Sequence, residues 1–292
     1  MKKLLVICLG VFAVFWNLEN FFDWRMADEG GKHWTYGRFH AKCHGIAKAL
    51  LDLSAGAGGD FPDLIGFCEV GDAYVLRRLL SQTVLRKLDY DIIHFDSPDT
   101  RGIDCALLYR RGKLRPLSCE AVPLLSDNGD TIPTRSQLRC LFEDAGGDTL
   151  GVVVVHHPSK VGGAAAEGRR KAAIALTREL CLSTGPRCLC MGDFNEVADS
   201  ENLSALAPLQ DLSLPLRDEG RGSIKYDGAW ELIDRALVYG AFSFARMGLF
   251  DDRSLSTRDK GFGGTKPLRT FTGPAYLGGI SDHYPIWVML DY

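Results

Sequence analysis

The residues best equipped for chemistry in this sequence fall at the ends of apolar, strand-like runs. Asn17 and Glu19 follow VFAVFW, Glu69 ends LIGFCEV, and His156 and His157 close GVVVVHH. Asp193 and Asn195 follow RCLCM, Asp234 lies in LIDRALV, and Asp282 and His283 precede the last run, IWVML. Each alone has a plain structural explanation. Asp or Asn after a strand commonly forms a turn or caps a helix, and a strand-end His is commonly a hydrogen-bonded structural residue. Together they are carboxylates, carboxamides and imidazoles on strand ends that converge within one layered domain, so they meet in one cleft. Such a cleft supplies oxygen donors for a hard cation and imidazoles for moving protons.

The elements that must position these groups alternate along the chain. Strands are expected at 11–17, 63–70, 90–95, 105–110, 117–123, 137–143, 151–156, 187–192, 232–239 and 286–290. Helices are expected at 37–53, near 73–88 and at 164–182. In the first of these, Phe39, Cys43, Ile46, Ala47 and Leu50 recur at helical spacing. The valine run at 152–155 marks a central strand buried on both faces. Glycine-rich spots at 56–59, 162–163 and 261–264 read as loops. With no internal repeat and no Pro/Ser linker, residues 1–292 are expected to form a single domain of layered sheets with helices outside.

Composition narrows the class. With 46% hydrophobic and 24% charged residues, the chain is neither a disordered tail, a collagen-like repeat nor a polytopic membrane protein. A formal charge of −3 gives no global field that would gather nucleic acid, although a metal site can neutralise phosphates locally. The nine cysteines are odd in number and several sit in apolar runs, so buried free thiols are expected rather than a disulfide framework. Cys188 and Cys190 are expected on opposite faces of their strand, which argues against a zinc site built on them. The start, MKKLLVICLGVFAVFW, mimics a secretory signal, but it runs directly into the first strand and is too short to span a bilayer and also supply that strand. Cleavage after Ala13 would remove most of the strand, and Ile7 stands where a lipoprotein-type Cys8 would need a small residue. An uncleaved strand and no membrane span are expected. The cytoplasm is favoured over an exported or periplasmic location, with the compartment left open.

WNLENFF, GFCEV, VVHHPSK, GDFN, IDRALV and SDHYP occur in the order and rough spacing of the endonuclease/exonuclease/phosphatase superfamily. From about Val11 to its C-terminus the chain resembles that superfamily, which includes DNase I, exonuclease III, neutral sphingomyelinases and inositol polyphosphate 5-phosphatases. The nearest resemblance is to a bacterial DNase I-like branch. The resemblance implies an α/β (α+β type) four-layer sandwich, two β-sheets packed face to face and flanked by helices. It also implies a divalent-metal-dependent phosphodiester hydrolase, a nuclease of low sequence specificity with nucleic acid as substrate and no stable protein partner. The alternatives are a phosphatase or phosphodiesterase acting on a sugar or inositol phosphate or a sphingomyelin-type headgroup, and last a catalytically silent binding protein.

On the same resemblance Glu69 matches the principal metal ligand, with Asn17 beside it positioning metal or phosphate and Asp282 a second metal contact. Oxygen donors without thiolates select Mg²⁺ first, then Mn²⁺, with Ca²⁺ last. Asp193 and Asn195 match the pair that aligns the attacking water and holds the scissile phosphate. His283 matches the catalytic histidine, Asp234 the carboxylate that fixes its tautomer, and His156 a histidine that contacts phosphate and acts as acid. Two further expectations concern substrate: Asp104 as the carboxylate partner of His156, and Arg135 approaching phosphate. Glu196 and His157 depart from the branch pattern, where Asp and an aromatic are expected. The basic runs 110–115 and 169–171 are candidates for phosphate contact or solvated faces, and the loop 259–279 is expected to be mobile and to gate or select substrate.

Overall fold

The computed structural model describes residues 10–25, 33–57, 59–160 and 163–292. The signal-like residues 1–9, including Cys8, lie outside the described residues, as do Gly58 and Gly162 of the expected loops. Twelve strands form two six-stranded sheets. In chain order the first half comprises β1 (Val11–Phe21), β2 (Leu64–Val70), β3 (Tyr90–His94), β4 (Asp104–Arg110), β5 (Leu114–Val122) and β6 (Gln137–Asp144). Then come β7 (Thr149–His156), β8 (Cys188–Asp193), β9 (Gln210–Asp211), β10 (Asp234–Tyr239), β11 (Phe244–Leu249) and β12 (Ile286–Asp291).

One sheet has the order β11-β12-β1-β2-β4-β3 and the other β5-β6-β7-β8-β10-β9. Each contains one parallel pair, β1 with β2 and β7 with β8. A parallel pair brings two C-terminal strand ends to the same edge, and the antiparallel neighbours β12 and β10 begin at that edge. This topology explains the convergence of the polar strand ends. Register adds a second constraint: His156 and Asp234 are both cross-strand partners of Asp193, so the three form one rung across β7, β8 and β10. The approach is close enough that a Cβ at Gly192 would lie 2.2 Å from the Val155 carbonyl oxygen, so the residue before Asp193 must be glycine.

The helices cover the outer faces. α1 (Tyr36–Gly56) and α2 (Ala73–Gln82) pack outside the first sheet, where Phe39 stacks on Phe21. α3 (Gly163–Ser183) packs outside the second through Ile174 and Cys181 against Val153, Val155 and Cys190. The large apolar core between the sheets contains Phe15, Val154 and Met191, which close around Gly66. The layers therefore follow the expected four-layer order. No helix among the described residues is long and apolar enough to cross a membrane.

Several local expectations change. The helix expected near 73–88 stops at Gln82, because Thr83 adopts an extended conformation and its hydroxyl donates to Leu79 O while accepting from Leu85 N, opening a separate turn at Val84–Lys87. The eight described cysteines are free thiols, as expected. The opposite-face assignment of Cys188 and Cys190 is corrected: residues two apart on a strand share a face, and both pack with Cys181 of α3.

Candidate active site

The ends of β1 and β2 leave regular strand geometry together. Pairing of β1 with β2 shifts register between Asn17 and Phe21, and pairing of β2 with β4 shifts between Phe67 and Val70. Within these bulges Glu19, Asn20 and Glu69 have φ of 46°, 52° and 59°. Left-handed backbone at a glutamate costs on the order of 1 kcal/mol or more and is held by surrounding contacts. Here the contact is direct, since Asn20 N donates to Glu69 Oε2 at 2.7 Å. Bulges re-aim side chains, and Asn17, Glu19 and Glu69 all line a cleft of about 450 Å³.

The second sheet supplies the opposite wall. Asp193 is buried, with Oδ1 accepting from Asn195 N (2.9 Å) and Oδ2 accepting from Asn17 Nδ2 (3.1 Å), the latter bond joining the two sheets. His156 Nε2 and His283 Nε2 stand 3.7 and 3.9 Å from the same Oδ2. Burial, then the negative charge of Asp234, pushes the Asp193 carboxyl up to about 7, against the opposing pull of His283.

The two histidines are driven apart. Burial disfavours a charged His283, but Asp234 Oδ2 at 2.7 Å from Nδ1, with Asp193 and Asp282 beyond, outweighs it and holds the imidazole well above its usual range. Burial first, then the Arg135 and Arg101 charges, push His156 well below that range, and its Nδ1 is buried without a hydrogen-bond partner. One cleft thus holds a protonated and a neutral imidazole at pH 7, an arrangement suited to divided acid–base roles. Of the two, His283 is the charged imidazole and His156 the neutral one.

Asp282 and His283 reach the cleft just before β12, where Ser281 Oγ donates to Asn17 O and accepts from His283 N. The Arg269 guanidinium bridges Asp282 Oδ2 (2.9 Å) and Glu19 Oε1 (3.0 Å). Burial, and then the charge of Asp282, raise the Glu19 pKa. Arg135 lines the cleft, but its NH1 is taken by Asp99 (3.2 Å) and its NH2 by His157 O. Asn195 also lines the cleft and donates from Nδ2 to His157 O at 3.0 Å.

Asp104 is a correction. It does not partner His156 and does not line the cleft; its Oδ1 accepts from Ser97 N at 2.8 Å and its Oδ2 lies 3.1 Å from His94 Nε2. The basic runs are also engaged elsewhere. Arg110, Arg111 and Arg115 pair with Asp63, Asp89 and Glu143 at the end of β4 away from the cleft, and Arg170 pairs with Glu196 and Ser159 O. The departures at 157 and 196 are thereby explained. Neutral His157 packs edge-on against Phe194 like an aromatic, and Glu196 anchors Arg170 and Asn202.

Sequence reasoning missed Lys42. Its ammonium is buried beneath the cleft and donates to Leu18 O, Glu19 O (2.9 Å) and Thr270 Oγ1 (2.8 Å). Glu19 Oε2 also accepts from Thr270 N at 2.7 Å, so the loop expected to be mobile is tied to the cleft floor at its middle. A signal was present: Phe39, Lys42, Cys43 and Ile46 fall on one helix face, which puts a lysine inside an apolar stripe.

Sequence comparison now decides the family, because the pattern described as Endonuclease/Exonuclease/phosphatase family matches residues 13–292. The chain belongs to the endonuclease/exonuclease/phosphatase family. Solved structures agree on the fold of this family member. D. rerio TDP2 complexed with single-strand DNA product is 14% identical, covers 97% of this chain and 99% of its own, and superposes with a TM-score of 0.63. The human Nocturnin catalytic domain with bound sulfate gives 14% identity, 98% and 95% coverage and a TM-score of 0.61. A family protein from Bacteroides thetaiotaomicron gives 18% identity, 96% and 97% coverage and a TM-score of 0.59. At these identities the likeness establishes the fold alone. No curated protein matches the chain significantly.

Proposed function

We propose that this family member is a divalent-metal-dependent phosphodiesterase, a nuclease of low sequence specificity. The observation that carries the reading is the His283–Asp234 pair at 2.7 Å, set against Asp193 in a cleft that Glu69, Asn17 and Asp282 also line. The donor chemistry fits a hard cation. Glu69, Asn17 and Asp282 supply only oxygen ligands, and Arg269 partly balances Asp282 and Glu19. When bound, Mg²⁺ or Mn²⁺ neutralises charge on a phosphate oxygen and on the leaving oxygen.

The chain's own residues do the rest. Asp193, fixed at both oxygens and with its pKa near 7, orients the attacking water and takes its proton. Protonated His283 donates from Nε2 to a non-bridging phosphate oxygen, and Asp234 keeps it charged and correctly rotated. Neutral His156 and the Asn195 amide position the phosphate. Arg101, Arg135 and Arg269 offset the charges of Glu19, Glu69, Asp193 and Asp282 in the same cleft, so a phosphate meets cations as well as carboxylates there. With Arg135 already engaged by Asp99 and His157 O, its contribution is charge rather than a bidentate grip. Nucleic acid as substrate is supported by the DNA product held by the similarly folded TDP2.

A second reading, hydrolysis of a small phosphoester, is favoured by one observation: the arginines of the run 110–115 pair with acidic neighbours at the far end of β4, so this run forms no basic track from the cleft. One assay separates the two. Supercoiled plasmid, single-stranded RNA, sphingomyelin and inositol phosphates are compared with Mg²⁺, Mn²⁺ or EDTA. Metal-dependent nicking or RNA cleavage is expected. Turnover of small esters alone replaces the substrate assignment, and full turnover in EDTA overturns the metal-dependent mechanism.

Thermal shift gives an independent readout. The Asp193 pKa is raised from 3.8 in the unfolded chain to about 7, so its ionisation opposes folding: the cost is absent below about pH 3.8 and complete above about pH 7. A cation held in the same cleft by Glu69, Asn17 and Asp282 would offset that cost by its charge. The Mg²⁺- or Mn²⁺-induced rise in Tm is therefore expected to be larger at about pH 8 than at about pH 5.5. An equal or reversed shift would contradict a cation held by Glu69, Asn17 and Asp282 in the cleft that Asp193 lines.

A further inference from the structure

We propose that His94, Asp96 and Asp104 form a second metal site, separate from the cleft, that takes Zn²⁺ or a similar borderline divalent cation. None of the three lines the cleft, and the proposal does not depend on the substrate. Their ligand atoms all lie within 4.8 Å of one another. The independent sign of a ligand is His94 itself. Its side chain is only 4% exposed, and Nε2 is buried without a hydrogen-bond partner although Asp104 Oδ2 is 3.1 Å away.

That combination of closeness and misalignment has a simple origin. Two atoms that ligate one ion aim at the ion rather than at each other. For tetrahedral zinc with bonds near 2.0–2.1 Å, such atoms lie about 3.3 Å apart. Asp104 is prepared for the role: Oδ1 is held by Ser97 N at 2.8 Å, which orients the carboxylate and leaves Oδ2 toward the imidazole. Asp96 lies on the solvent side, 94% exposed, with Oδ1 3.9 Å from His94 Nδ1; its unburied carboxylate has to swing toward Nε2 to complete a three-ligand set with one position for water. One imidazole with two carboxylates selects Zn²⁺, Co²⁺ or Mn²⁺ over Mg²⁺ and Ca²⁺.

The placement gives the site a consequence. His94 ends β3 and Asp104 begins β4, so an ion there clips together the two ends of the loop 95–103. That loop carries Asp99, which holds Arg135, and Arg101, which lines the cleft.

Co²⁺ serves as the probe, because its visible absorption reports imidazole and carboxylate coordination. The full chain is stripped with chelator, saturated with Mg²⁺ to occupy the cleft, and titrated with Co²⁺. One equivalent is expected to bind with a tetrahedral-type spectrum and to be displaced by Zn²⁺. Asp96→Asn should weaken it by about tenfold or more, and His94→Gln should abolish it. Asp282→Asn, which alters the cleft, should leave it intact. Because Asp96 is a surface residue, loss of binding in its variant cannot come from unfolding. Absence of a Mg²⁺-resistant equivalent, retention of full affinity in Asp96→Asn, or loss in Asp282→Asn would each overturn the proposal.

Discussion

Replacing His283 with alanine is expected to lower kcat by about 10²–10⁴-fold, the range for loss of a positioned proton-bearing group. It is also expected to lower Tm, because Asp234 would be left in the interior with neither oxygen bonded. Its Oδ1 already lacks a partner, and Oδ2 is the atom paired with His283. Breaking such a buried pair costs roughly 3 kcal/mol. A strand-end position therefore does not make the residue structurally neutral. Asp234→Asn separates the two effects: it keeps the shape and a hydrogen bond but removes the charge that sustains the imidazolium. Its kcat should fall nearly as far, with a much smaller change in Tm. Activity within a few-fold of wild type in both variants, measured on the substrate identified by the assay, would remove His283 from the chemistry.

Lys42→Met is expected to have the second-largest effect. Methionine fills much of the same volume but leaves Leu18 O, Glu19 O and Thr270 Oγ1 without their donor. It also removes the cation buried beside Glu19. Bonds to a charged group are worth about 1.5–3 kcal/mol, and an uncompensated buried partner adds to the loss, so stability should fall by roughly 3 kcal/mol. Because these bonds fix the left-handed Glu19 and the middle of the loop 259–279, kcat should fall by about tenfold or more even where the variant is fully folded. Denaturant unfolding and kinetics on the same preparation check both parts. A folded variant with wild-type kcat would show that the tether matters only to stability.

Most of the scaffold was legible because its signals are local. The four valines of β7, the apolar stripe of α1 and the polar residue closing each central strand can be read one segment at a time. The parallel pairs then gather those strand ends, which is why Asn17, Glu69, His156, Asp193, Asp282 and His283 all line one cleft. What resisted reading depends on partners distant in sequence. Asp104 was assigned to the wrong histidine because the choice between His94 and His156 is made by pairing of β3 with β4, not by the residues around Asp104. For the 110–115 run the sequence leaves phosphate contact and a solvated face both open, and only strand direction, which places it at the far end of β4, decides between them. β11 was missed because FARMGL does not alternate cleanly, and its Gly248 is required by the neighbouring Trp287 ring rather than by any local turn.

The rung that joins His156, Asp193 and Asp234 makes competence a digital property of the second sheet. A slip of β8 by one residue would put Gly192 or Phe194 where the central carboxylate belongs and turn alternate side chains to the wrong face. No intermediate alignment would retain a weakened version of the same constellation. Such a sheet can be compact, apolar inside and rich in strand while remaining inert. Recovered turnover therefore reports correct pairing of these three strands more stringently than any measure of secondary-structure content.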